Sequence, residues 1–266
     1  MEHMQVTKLE GLGNDYLFLN AMEEAPEDLP QLARRLSDRH FGVGSDGLIC
    51  VRPGRTGDFT MEMYNADGSR GLMCGNGIRC LGKYVYENGL TRKRCLTIDT
   101  DAGPRVLELH VRGERVEQVT VDMGEPAFRD PVTVPWEGES FILHPVSVGN
   151  PHAVIFLPRP DQAPLERIGP AMERHPAFPD GVNVELAAVD GPERITVRVW
   201  ERGSGITLAC GTGACAVLAA AARLGLCRRT ARITLPGGEL EVEWRQDNRL
   251  RMTGPARRVF TATVLS

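Results

Sequence analysis

Two cysteines stand where reactive thiols are made. Cys74-Gly75-Asn76-Gly77 and Cys210-Gly211-Thr212-Gly213 each put a cysteine directly before a glycine-rich turn that runs into a helical pattern. A thiol at a helix N-terminus sits in positive potential, because unpaired backbone N–H groups and the helix dipole favour the thiolate. The glycines allow close approach of a ligand to the backbone, and the same N–H groups suit a carboxylate or a phosphate. With a substrate carboxylate held between two such turns, the neighbouring carbon would have one sulfur on each side. A thiolate base on one face and a thiol acid on the other are the parts of a two-base racemisation or epimerisation without a cofactor. The α-proton of an amino acid is weakly acidic, so burial and hydrogen bonds to the developing enediolate would have to supply most of the stabilisation.

Other polar residues cluster in turns around these cysteines in sequence. Asn14, Asn65, Asn150 and Asn183 can line one cleft, or can serve only local turn chemistry. Glu201-Arg202, just ahead of the second cysteine turn, can bind an ammonium and a carboxylate, or can be a solvated surface pair. His152 follows Pro151 in a loop and reads equally as structural or catalytic. Cys50, Cys80, Cys95, Cys215 and Cys227 are read as small core residues. Gly42-Val43-Gly44-Ser45-Asp46-Gly47 matches GxGxxG in form, but it follows a helix and precedes a strand, the reverse of the dinucleotide context.

The two cysteines lie 136 positions apart (210 − 74), and that offset recurs. Gly13-Asn14 maps onto Gly149-Asn150, Tyr64-Asn65 onto Trp200-Glu201, Leu72 onto Leu208, and Gly89-Leu90 onto Gly225-Leu226. The chain of 266 residues therefore reads as two diverged copies of one unit, each long enough for its own core. Two copies can form a pseudo-twofold in which the cysteines face each other across the domain boundary.

The elements follow from pattern. Val6–Leu9 and Tyr16–Asn20 read as strands around a Gly11–Asp15 turn, and Pro26 to His40 as a helix with Pro26 in its first turn. Strands are expected at 48–51, 58–64, 95–98, 105–109 and 117–123, and a helix from Asn76 to Glu87 stopped at Asn88-Gly89. The proline-rich segment Pro126 to Pro135 reads as a connection between the units. The order then repeats: strands around Gly149–His152, a helix from Pro164 to His175, strands at 182–184 and 195–201, and a helix from Ala214 to Leu224. Strands at 233–235, 240–244 and 259–264 close the chain. The helix after Cys210 has no polar face, so it must be enclosed, and a curling sheet would do that. The expected fold is α+β, two homologous domains, each a mostly antiparallel sheet around a central helix.

Composition narrows the partners. An apolar fraction of 42%, a charged fraction of 25% and a net charge of −4 describe a globular protein without a basic stripe, so neither nucleic acid nor an anionic membrane surface is expected. The first half of the uncharged run from Ser204 to Ala222 is rich in Gly, Ser, Thr and Cys and only the second half is apolar, which argues against a membrane span. No signal peptide is expected at Met1-Glu2-His3-Met4. Seven cysteines without framework spacing imply free thiols in a reducing, cytoplasmic compartment, and without a CxxC pair or a zinc-type Cys/His spacing no metal is expected.

Taken together, the ordered motifs resemble the diaminopimelate epimerase family over nearly the whole chain. They are Gly11–Asp15, Arg39–Gly47, Tyr64–Ser69, Met73–Gly77, Gly149–His152, Asn183-Val184, Trp200–Gly203, Leu208–Gly213 and Leu235–Gly238. The resemblance implies a cofactor-independent epimerase that interconverts LL- and meso-2,6-diaminopimelate, in the synthesis of lysine and cell-wall precursors. It implies Cys74 and Cys210 as the acid/base pair, with His152 and Glu201 tuning them. Substrate contacts would fall on Asn14, Asn65, Asn150, Asn183, Glu201 and Arg202, with backbone contacts at Gly75, Asn76, Gly211 and Thr212. It further implies a homodimer, and a C-terminal strand that returns to the first domain, giving domains 1–116 plus 258–266 and 117–257. The chain departs from the family pattern at Gly47, where some members carry a substrate-contacting Gln, at Arg70-Gly71-Leu72, and at Ser204 and Ile206. A proline or hydroxyproline racemase, a non-catalytic amino-acid binding protein and a thiol redox protein are the competing readings. Glu201-Arg202 and four asparagines favour a substrate with a second amino-acid head over the proline type, and the missing CxxC weighs against the redox protein.

Overall fold

A computed structural model describes residues 3–24 and 26–265. The chain divides into two compact units, Met1–Val121 with Gly254–Ser266, and Asp122–Thr253.

The first unit begins with β1 (His3–Gly11) and β2 (Asn14–Asn20), a hairpin closed by Leu12 and Gly13. Both turn residues have positive φ, 59° and 85°, the combination that matches a two-residue turn to strand twist. Then come α1 (Leu29–Ser37), β3 (Gly47–Pro53), β4 (Phe59–Asn65), β5 (Arg70–Gly71), α2 (Gly75–Glu87), β6 (Cys95–Asp99), β7 (Arg105–Arg112) and β8 (Arg115–Gly124). In the second unit follow β9 (Ala127–Phe128), β10 (Val132–Trp136), β11 (Glu139–Ser147), β12 (Pro151–Phe156), α3 (Leu165–Glu173), β13 (Asn183–Gly191), β14 (Arg194–Glu201), β15 (Gly205–Thr207), α4 (Gly211–Arg223), β16 (Thr230–Leu235), β17 (Gly238–Trp244) and β18 (Leu250–Pro255). β19 (Arg257–Leu265) returns to the first unit and pairs with β1.

Strand pairing is the same in both units. In the first, β1–β2 is antiparallel, β2–β3 parallel, β3–β4 antiparallel, β4–β6 parallel, and β6–β7–β8 antiparallel. In the second, β11, β12, β13, β14, β16, β17 and β18 take those places in order and with those directions. The central strands are buried on both faces, because each sheet carries a helix on either side. α1 packs Leu29, Leu32, Ala33 and Leu36 against Leu17, Leu19 and Leu48, while α2 lies against β1, β2 and β7. Alternation along β2 sends Leu17 and Leu19 to α1 and leaves Phe18 to stack on Tyr84 of α2, with ring centroids 5.5 Å apart. In the second unit α3 packs Leu165, Ile168 and Met172 on Ala153, Ile155, Val184 and Leu186. α4 is the enclosed helix, with its residues from Gly211 to Ala221 all buried.

Three expectations are corrected. The first helix starts at Leu29, not Pro26: the Asp28 carboxylate accepts the Gln31 N–H at 2.9 Å, and Pro30 occupies the first turn. It ends at Ser37, where the Asp38 side chain takes the N–H groups of His40 and Phe41 and the chain turns away. The Pro126–Pro135 segment is not a connector but part of the second unit, because β10 pairs with β11 and sets Pro135 opposite Ser140. Cys95 and Cys227 are not core residues. Cys95 is exposed at the start of β6 and Cys227 is half-buried, whereas Cys50, Cys80 and Cys215 are fully buried. Among the described residues no helix is long and apolar enough to cross a membrane.

Candidate active site

Both cysteines are helix N-caps. Cys74 has φ −127° and ψ 123°, and its Sγ accepts the Gly77 N–H at 3.4 Å. Cys210 has φ −124° and ψ 115°, and its Sγ accepts the Gly213 N–H at 3.4 Å. A Cβ at Gly77 would lie 2.8 Å from Ile49 Cδ1, and one at Gly213 would lie 2.6 Å from Glu185 Oε1, so both helix starts are pressed onto the strand beneath. Both helices end alike as well. Gly89 and Gly225 are left-handed, and the next residue's N–H bonds back to Val85 and Ala221 respectively.

The first turn is organised by Asn14. The Cys74 thiol donates to Asn14 Oδ1 at 3.1 Å, Asn76 Nδ2 reaches the same oxygen at 3.4 Å, and Asn14 Nδ2 donates to Asp46 at 2.7 Å. Asp46 is in turn held by Arg39. The buried Tyr16 hydroxyl bonds with both Cys74 and Asn14, and burial first, then the neighbouring Cys74, pushes its pKa well above the usual phenol value. Asn76 Oδ1 accepts from the fully buried Arg79, whose guanidinium also binds the Gly75 and Pro255 carbonyls and so pins the first turn of α2. Asn65 is half-buried and donates to Ser69 at 2.9 Å.

The second turn is ionic. Cys210 is 5% exposed, with the Thr212 hydroxyl 3.4 Å from its sulfur. Its thiol hydrogen-bonds to Glu201, which also accepts from Thr207 at 2.7 Å. Burial raises the Glu201 pKa. Burial, then the charges of Glu201 and Glu185, raise that of Cys210 well above the ordinary thiol. His152, fully buried, meets Glu185 Oε1 through Nδ1 at 2.7 Å and Asn150 Oδ1 through Nε2 at 3.0 Å. Asn183 donates to the Pro151 carbonyl and accepts the Arg202 N–H, and the Arg202 guanidinium donates to the Asp180 carbonyl.

In the first unit, Asn14 and Asn76 thus gather on Cys74, while Asn65 lies with the Ser69 turn. In the second, Glu201 and Thr212 gather on Cys210, Asn150 joins His152, and Asn183 supports Arg202. Sequence reading missed Tyr16, Asp46 and Glu185. The signal for Tyr16 was the offset itself, since Tyr16 falls on His152; for Glu185 it was a lone charge in the otherwise apolar run 184–189. The Gly47 departure has a physical cause. A side chain there would collide with the Tyr64 carbonyl and sit 3.0 Å from the Tyr16 ring, so no Gln fits beside this tyrosine.

The architecture places the chain in a class of two-unit proteins with paired sheet-and-helix folds. Solved structures share it at low identity. A PhzF-family phenazine biosynthesis protein from Bacillus anthracis superposes with TM-score 0.79 over 100% of both chains at 17% identity. A hydroxyproline epimerase from Agrobacterium vitis gives 0.75 over 99% of this chain and 91% of that one at 16% identity. Sequence is more specific. Residues 6–129 and 145–259 match the diaminopimelate epimerase family model. Diaminopimelate epimerases of Acetivibrio thermocellus and Desulfitobacterium hafniense are 47% and 46% identical, each over 98% of both chains. One from Methanococcus maripaludis is 44% identical over 98% of this chain and 99% of that one. The chain belongs to the diaminopimelate epimerase family.

Proposed function

We propose that this protein is a diaminopimelate epimerase that interconverts the LL and meso isomers by a two-base mechanism, without a cofactor, in lysine and peptidoglycan precursor synthesis. The observation that carries the reading is the pair of cysteine N-caps, alike in backbone and 136 positions apart (210 − 74), in a chain 47% identical to a diaminopimelate epimerase. Cys74 and Cys210 are the acid/base pair acting on one α-carbon. Backbone N–H groups of Gly75, Asn76, Gly211 and Thr212 bind the α-carboxylate and the enediolate that develops from it. Asn14, Asn65, Asn150, Asn183, Glu201 and Arg202 bind the remaining groups, and His152 and Glu201 tune the thiols.

Electrostatics give the two sulfurs different work. Burial and two neighbouring carboxylates hold Cys210 as a thiol, the form that delivers a proton. The Glu201 carboxylate, bonded to that thiol, can take its proton and return it when the reaction runs the other way. The Asn14 amide is held by Asp46 and faces Cys74 with its oxygen, so it accepts a hydrogen bond from the thiol but cannot stabilise a thiolate until it moves. Two free thiols require a reducing compartment, which supports a cytoplasmic enzyme, and the family resemblance supports a homodimer.

The test is LL-diaminopimelate with reduced protein in D₂O. The expected result is deuterium at one α-carbon and conversion to the meso isomer. A folded, reduced protein that neither exchanges nor converts would overturn the assignment.

A further inference from the structure

One buried carboxylate beside the second cysteine turn has no role in the reaction so far. Glu185 is fully buried on β13, on the face turned to α4. A carboxylate taken out of water is retained only where its bonds offset the desolvation. Oε1 bonds to His152 Nδ1 at 2.7 Å, and among the described residues Oε2 has no hydrogen-bond partner. In the first unit the equivalent position holds Ile49, which fills the same space beneath the helix start. The fold is therefore satisfied by an apolar residue there, and the carboxylate must serve something other than packing.

We propose that Glu185 is a positioning residue for the epimerisation: its carboxylate fixes the His152 ring, and the ring in turn holds the Asn150 amide. The inference rests on the reading of the previous section. An imidazole has two nitrogens, and the bond made by one determines what the other can do. With Nδ1–H donating to the carboxylate, the ring cannot flip, and Nε2 stays 3.0 Å from the Asn150 side-chain amide, bonding to its oxygen when the ring is charged and to its N–H, after an amide flip, when the ring is neutral. Gly213 makes the arrangement possible, because any larger residue would meet Glu185 Oε1 at 2.6 Å. The same carboxylate lies close enough to Cys210 for its charge to oppose ionisation of the thiol. The second unit thus carries a fixed line from β13 through β12 to Asn150 that the first unit lacks.

The test compares Glu185→Gln with Glu185→Ile, which installs the first unit's residue. The amide oxygen of Gln can still accept from Nδ1; Ile cannot. Loss of one hydrogen bond to a charged group predicts a fall in kcat of roughly tenfold to hundredfold for Glu185→Ile. Glu185→Gln should recover a clear part of that loss, while the melting temperature of Glu185→Ile stays at or above that of Glu185→Gln. Independently, ¹⁵N-histidine NMR of the wild-type protein should show a downfield, hydrogen-bonded Nδ1 proton that vanishes in Glu185→Ile and in His152→Gln. Wild-type kcat in Glu185→Ile would overturn the proposal, as would equal losses in both variants with matching loss of thermal stability. If Glu185→Ile does not fold, the wild-type Nδ1 signal decides the matter: its loss in His152→Gln and its persistence at a less downfield position in Glu185→Gln support the link, and its absence from the wild type would overturn it. A wild-type protein that shows the signal but does not epimerise would overturn the assigned reaction and leave the Glu185–His152 link standing.

Discussion

The two units share a backbone and differ in what surrounds the sulfur. α2 and α4 each span 13 residues, begin at a cysteine cap and end at a left-handed glycine. Around Cys74 stand Tyr16, Asn14 and the apolar Ile49; at the equivalent places around Cys210 stand His152, Asn150 and Glu185, and Glu201 replaces Asn65. The lesson is that a duplicated frame can supply the same reactive group twice, while side chains on neighbouring strands surround each copy with different chemistry: an amide and a phenol at Cys74, carboxylates at Cys210. The two-base reaction proposed above uses such a difference, since one sulfur must lack the proton that the other holds.

The largest expected effect tests whether both halves are needed. Cys74→Ser and Cys210→Ser should each lower kcat/KM by roughly 10²–10⁴-fold, measured with both isomers. Near wild-type turnover in one variant would leave the corresponding half without a chemical role.

A smaller effect sharpens the electrostatic difference. Burial raises the Glu201 pKa, so its carboxylate form exists only above that raised value and is lost as pH falls through it. Activity should therefore decline on the acid side at a higher pH than an exposed glutamate would give. Glu201→Gln should lower kcat by roughly tenfold to hundredfold and remove that acid limb from the pH–rate profile. An unchanged limb would assign it to another group.

The smallest effect concerns packing at one pair of matched positions. Gly47 and Asn183 occupy the same place in β3 and β13, paired with Tyr16 and His152 respectively. Gly47→Ala, which drives a Cβ into the Tyr64 carbonyl, should destabilise by about 3 kcal/mol. Asn183→Ala, which loses bonds to Pro151 and Arg202, should cost about 1–2 kcal/mol. Chemical denaturation of the two variants reads both, and the reverse order would mean that the Tyr16 side of the sheet yields more easily than its packing implies.

Much of the frame was legible because its signals are local. Helix starts at Cys74 and Cys210, stops at Gly89 and Gly225, and the apolar faces of α1 and α3 depend on residues a few positions apart. Where local signals competed, the reading slipped. Asp28 and Pro30 outweighed Pro26 as a helix start, and cross-strand pairing with β11 made a strand of the proline-rich segment 126–135.

By itself, the sequence determined that one unit occurs twice, that each copy presents a cysteine at a helix N-terminus, and which family the pattern resembles. It could do so because caps, turns and repeat offsets are written within short stretches of chain. Only the tertiary structure decided the company each thiol keeps. Tyr16 meets Cys74, Glu201 meets Cys210 and Glu185 meets His152 because strand register and the close seating of α2 and α4 at Gly77 and Gly213 bring together residues distant in sequence. Register is a property of paired strands, and no single stretch of chain contains it.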